Sequence, residues 1–171
     1  MARVYLQGKA CQTNGELPEL EQKAPDFSLT TTKLKDKNLS SFSDTYKLIY
    51  TVTSLDSMVC TNTTKTLNEL AADLEKTEVL IVSADLPFAL QKFGKQNKLK
   101  NITTLSMMRN KSFAKNYGVL LVDGPLAGLC TRAVFVLDQD NTLIYKELVE
   151  DITHSPDFNS AIEKLNNYAH I

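Results

Sequence analysis

Three cysteines, at positions 11, 60 and 130, are the most oxidisable nucleophiles in this chain, and the surroundings of one suit a reactive thiol. Cys60 closes the stretch Thr53-Ser-Leu-Asp-Ser-Met-Val-Cys60. An apolar run (Leu48, Ile49, Tyr50, Val52) precedes it, and Leu67, Leu70, Ala71 and Leu74 follow at the three-and-four spacing of one helix face. The pattern predicts a strand-to-helix junction at Cys60. A sulfur there meets unpaired backbone N–H groups and the positive end of a helix dipole, both of which favour a thiolate over a thiol. A cysteine at a helix start is by itself more often a small buried hydrophobe, so other residues must support the reading. His154 and His170 are distant in sequence from all three cysteines and read as surface residues. The cysteine spacings fit neither a secreted disulfide framework nor a zinc motif, so no metal site is expected.

The elements that must hold Cys60 follow from the rest of the chain. At 171 residues, 43% of them hydrophobic and 23% charged, the length suits one domain spanning 1–171 with its own core. Nineteen basic against twenty acidic residues leave a net charge of -1, with no electrostatic footprint for nucleic acid or an anionic membrane. The N-terminus lacks the apolar core of a signal peptide, and no apolar run approaches the roughly 18 residues of a membrane span. A soluble, cytoplasmic protein is the expectation.

Residues 1–18 alternate weakly around Gly8 and Asn14-Gly15, and the Asn-Gly pair predicts the turn of an N-terminal β-hairpin. Ala24–Thr30 reads as a short extended element, Lys33–Lys37 as a polar turn and Lys47–Val52 as a strand. Val79–Ser83 is a β-branched run suited to a strand buried on both faces, which makes strand, helix and strand a parallel crossover. Helices are expected over Phe88–Phe93, interrupted by Gly94, over Ser112–Tyr117 and over Phe158–Asn167. Ala133–Leu137 and Thr142–Val149 pair about the turn Asp138–Asn141. The sum is an α/β fold: a mixed central sheet, flanking helices and the N-terminal hairpin.

That order, with a cysteine at the first strand-to-helix junction and no Cys-x-x-Cys, resembles a thioredoxin fold of the peroxiredoxin superfamily. Ala24-Pro-Asp-Phe27 looks like the family's entry motif. Ser83-Ala-Asp-Leu-Pro-Phe-Ala89, Tyr117-Gly-Val119 and Asp123-Gly-Pro-Leu-Ala-Gly-Leu129 resemble the bacterial thiol peroxidase subfamily. The resemblance implies a thiol-dependent peroxidase that reduces hydrogen peroxide and organic hydroperoxides through a cysteine sulfenic acid, without metal, haem or flavin. It further implies a homodimer with thioredoxin as reductant. In the family's active-site pattern, Pro-x-x-x-Thr-x-x-Cys, Cys60 takes the peroxidatic position, Ser57 the threonine position and Thr53 stands where proline is expected. Ser57 keeps a hydroxyl able to bond the thiolate or the peroxide. Arg132 matches the family arginine that leans over the sulfur from a neighbouring strand.

Magnitudes support the need for that arginine. A free thiol with a pKa of about 8.5 is only a few per cent ionised at neutral pH. A helix N-terminus contributes only about 0.3–1 kcal/mol towards the thiolate, whereas a permanent cation within a few ångströms can supply the remainder. The same guanidinium can polarise the O–O bond and take up charge on the departing oxygen.

In the subfamily a second, resolving cysteine usually follows a phenylalanine in the helix after Leu-Pro-Phe, and here that position is Gly94. Cys130 lies two residues before Arg132, so on a regular strand it faces the same side, about 6.6 Å along the chain. Two readings follow for Cys130: a packed core residue, or a resolving thiol for Cys60, the latter requiring Cα atoms within about 7 Å. Cys11 reads as incidental. A peroxide-sensing redox protein that turns over slowly and relays oxidation to a partner is the alternative function.

Overall fold

The computed structural model describes residues 1–169. A hairpin of β1 (Arg3–Leu6) and β2 (Lys9–Gln12) opens the chain, with Arg3 opposite Gln12. Its turn is Gln7-Gly8, whose φ angles of 51 and 80° are the left-handed pair that matches the twist of a two-residue hairpin loop. The turn expected at Asn14-Gly15 is thus misplaced. Asn14 uses its side chain to tie distant chain together, accepting from the Leu120 N–H and donating to the Lys115 carbonyl.

Among the described residues seven strands form the main sheet: β3 (Leu29–Thr30), β4 (Asp36–Lys37), β5 (Tyr46–Thr51), β6 (Thr77–Ser83), β7 (Thr103–Ser106), β8 (Ala133–Leu137) and β9 (Leu143–Leu148). Their order is β4-β3-β7-β6-β5-β8-β9. β6 runs parallel to both β5 and β7, and the remaining pairs are antiparallel, giving the expected mixed sheet. Sequence periodicity misses β7, because Thr-Thr-Leu-Ser is too short and polar to signal a strand. Its order comes from pairing with β6 over Leu80–Ser83.

Among the described residues four α-helices cover the sheet: α1 (Met58–Ala71), α2 (Pro87–Gln96), α3 (Ser112–Asn116) and α4 (Phe158–Ala169). Alternation along the strands sorts side chains into two layers. Ile49, Leu80, Val82 and Phe135 pack with Phe113 of α3 and with a short 3-10 turn at Leu39–Phe42. Tyr50, Ile81, Val134 and Val136 pack on the other face under Leu67 of α1, Leu90 and Phe93 of α2 and Leu165 of α4. Gly94 does not interrupt α2, contrary to expectation. Glycine in a helix interior costs only about 1 kcal/mol, which burial of Leu90 and Phe93 offsets.

Two features of this topology place the site. β5 ends at Thr51 opposite Ala133, the first residue of antiparallel β8, so the residue before β8 lies beside the loop that leaves β5. That loop enters α1 directly.

Candidate active site

Ser57 is the N-cap of α1, with extended φ and ψ of -72 and 143°. Its hydroxyl accepts from the Cys60 N–H at 3.3 Å, as a serine cap commonly does for the third residue of a helix. Cys60 therefore sits in the first turn of α1, and no acidic side chain occupies that turn. The loop before it is clamped to the end of β6. Asp85 accepts from the Ser54 hydroxyl at 2.7 Å and the Leu55 N–H at 2.9 Å, and Ser83 donates to the same carboxylate at 2.9 Å. Thr61 adds a tie from inside the helix, its hydroxyl donating to the Leu55 carbonyl at 3.1 Å.

Arg132 reaches the sulfur. Its Nη2 donates to Cys60 Sγ at 2.9 Å, its Nη1 to the Tyr50 hydroxyl at 2.6 Å and its Nε to the Ile152 carbonyl at 2.5 Å. The arginine is 2% exposed and Cys60 is fully buried. A buried cation is costly unless an anion pairs with it, and neither ion pair among the described residues includes Arg132. The group at hand to carry opposing charge is the Cys60 sulfur. Burial pushes the Tyr50 phenol well above its usual range, so Tyr50 stays neutral and can accept from the guanidinium.

Cys130 is not brought to Cys60. Its thiol lies 3.6 Å from the Met107 sulfur, within the layer on the opposite face of the sheet from Cys60. The alternation that would put Cys130 and Arg132 on one side fails because β8 begins only at Ala133. Cys130 instead bridges Leu120, and irregular chain at Thr131 and Arg132 separates it from the strand. Burial pushes the Cys130 thiol up to about 12. Cys11 packs in a third cluster with Val4, Leu121 and Ile152. His154 is exposed, and His170 lies outside the described residues.

Tyr50 and Asp85 touch the site, yet sequence reasoning assigned neither to it. Asp85 lies inside the Ser83–Ala89 stretch that carries the family resemblance, which gave it no role at the site. Tyr50 was read only as part of the apolar run that ends before the Cys60 loop. Among the described residues, no three histidine, cysteine or carboxylate side chains converge as metal ligands would. The arrangement is a thiol and a guanidinium in contact at a capped helix start, suited to nucleophilic attack on an electrophile whose leaving group gains negative charge.

The Redoxin family model matches residues 19–164. A protein of Leptospira interrogans named thiol peroxidase is 40% identical over 168 residues, covering 97% of this chain and 98% of that one. Among solved structures, a peroxiredoxin-like protein from Aquifex aeolicus superposes with a TM-score of 0.92 at 34% identity, covering 98% of this chain and 97% of the other. The thiol peroxidase from Chromobacterium violaceum gives 0.90 at 28% identity over the same shares. The fold is thus the thioredoxin-like one implied by the sequence motifs.

Proposed function

The chain belongs to the Redoxin family, and from that premise we propose that it is a thiol-dependent peroxidase in which Cys60 attacks hydroperoxides. The observation that carries the reading is the 2.9 Å contact from Arg132 Nη2 to Cys60 Sγ. The Cys60 thiolate attacks the terminal oxygen of a hydroperoxide. An S–O bond forms, the O–O bond breaks, and the departing oxygen takes a proton and leaves as water or an alcohol. Cysteine is oxidised to sulfenic acid and the peroxide is reduced. Arg132 stabilises the thiolate before attack and the departing oxygen during it. Ser57 acts through its cap, holding the Cys60 backbone N–H and with it the helix turn that carries the sulfur.

The sulfenic acid is reduced by an external thiol, with thioredoxin the expected donor. Two observations support an outside reductant: Gly94 occupies the usual resolver position, and Cys130 packs against Met107. The protein works as one domain over 1–171, as a soluble cytoplasmic homodimer. No described helix is long and apolar enough to cross a membrane, which agrees with that placement. The slow peroxide sensor is the weaker reading, since the relatives matched over almost their whole length are named thiol peroxidases.

Catalytic amounts of protein, supplied with thioredoxin, its reductase and a reductant, test the proposal. Sustained consumption of hydrogen peroxide or an alkyl hydroperoxide is expected for the wild type and should disappear in Cys60→Ser. Equal consumption by both proteins would remove it.

A further inference from the structure

We infer that Tyr50 is a positioning residue for peroxide reduction: its hydroxyl sets the rotation of the Arg132 guanidinium, so that one edge meets the sulfur and free N–H donors remain for the peroxide. This inference rests on the peroxidase reading. A guanidinium carries one N–H on Nε and two on each Nη. In this site Nε is held by the Ile152 carbonyl, one Nη1 donor by Tyr50 and one Nη2 donor by Cys60. One N–H on each Nη stays uncommitted among the described contacts. These free donors can polarise the O–O bond as the sulfur attacks.

Three observations make Tyr50 the anchor. It lies within β5, whose neighbours β6 and β8 pair with it at Ile81 and Val134, so its backbone is fixed from both sides. Its ring meets the Phe158 ring edge-on, with centroids 5.1 Å apart and planes at 88°, which restricts rotation of the phenol. Its hydroxyl is buried and neutral, and the Thr63 side chain of α1 neighbours it. The Thr63 hydroxyl in turn donates to the Val59 carbonyl at 2.7 Å, one residue before Cys60. The arginine and the helix turn that carries the sulfur are therefore referenced to the same phenol.

Tyr50→Phe keeps the ring and its contact with Phe158 but removes the acceptor. The second-order rate of the reduced protein with hydrogen peroxide is expected to fall about 10- to 100-fold, the penalty typical of a slightly misplaced catalytic group. Alkylation of Cys60 by iodoacetamide at the same pH needs no oriented donor and is expected to change less than about threefold. A double-mutant cycle supplies the readout that a purely structural role would not move. With Arg132→Lys in place, Tyr50→Phe should cost nothing further, because its effect passes through the guanidinium. A lowered melting temperature with an unchanged peroxide rate would overturn the proposal, as would equal losses in both reactions or additive losses in the cycle. Wild type that consumes no more peroxide than Cys60→Ser would instead refute the peroxidase reading itself, so the two failures are distinguishable.

Discussion

Replacing Arg132 with lysine keeps one positive charge in the site and removes the planar fork. The guanidinium now makes three directed contacts, to Ile152 O, Tyr50 Oη and Cys60 Sγ. A lysine ammonium has a single nitrogen, so it cannot span all three acceptors. Leaving the Ile152 carbonyl or the buried Tyr50 hydroxyl unsatisfied costs about 1–3 kcal/mol of stability each. The kinetic loss is larger than retained charge alone would suggest. Loss of one oriented donor to a developing oxyanion costs about 2.7–4 kcal/mol, equivalent to about 100- to 1000-fold in rate. Rapid mixing of reduced Arg132→Lys with hydrogen peroxide, followed by the loss of free Cys60 thiol, reads the step before any reductant acts. A rate within about threefold of wild type, in a variant whose circular dichroism shows the native fold, would refute the reasoning that orientation as well as charge is required.

Lys47 is fully buried on β5, and its Nζ has no hydrogen-bond partner among the described residues. Burial lowers its pKa from the ordinary 10.5, so between the folded and unfolded values the unfolded chain binds more protons. Wild-type stability should therefore rise with pH as 10.5 is approached, whereas Lys47→Met lacks that rise and is at least as stable near neutrality; urea melts at several pH values check both. Gly94→Ala should stabilise by about 0.5–1 kcal/mol, because a Cβ there meets open space within α2. Gly118→Ala should destabilise by more than about 1 kcal/mol, since φ is +69° and the added Cβ strikes the Glu16 carbonyl; thermal melts compare the two. Cys130, pushed up to about 12 by burial, should resist alkylation at pH 8 until the protein is unfolded, as peptide mapping of labelled native protein would show.

Cys60 was legible in a local pattern, at the end of an apolar run before a helical repeat, whereas Arg132 was picked out by its resemblance to the family arginine. Periodicity located β5, β6 and β8, since each is an apolar stretch buried on both faces. What failed depends on long-range pairing or on one residue of irregular backbone. β7 is ordered by its neighbours β6 and β3, which lie far from it in sequence. The hairpin turned at Gln7-Gly8 because Asn14 is occupied with Leu120 and Lys115, contacts more than a hundred residues away along the chain. Cys130 left the side of Arg132 because the strand starts after both of them. The site's supports were hidden for a related reason. Asp85 reaches Ser54 and Leu55 across the loop that leaves β5, and Tyr50 meets Arg132 from a separate strand.

The most direct test of the central claim is to treat reduced protein with one equivalent of hydroperoxide and map every cysteine by non-reducing peptide mass spectrometry, using a sulfenic-acid trap. The geometry predicts one trapped sulfenic acid, on Cys60, with Cys11 and Cys130 still reduced and no Cys60–Cys130 disulfide. An unmodified Cys60 would contradict the peroxidase account. A Cys60–Cys130 disulfide would contradict the placement of the two thiols on opposite faces of the sheet.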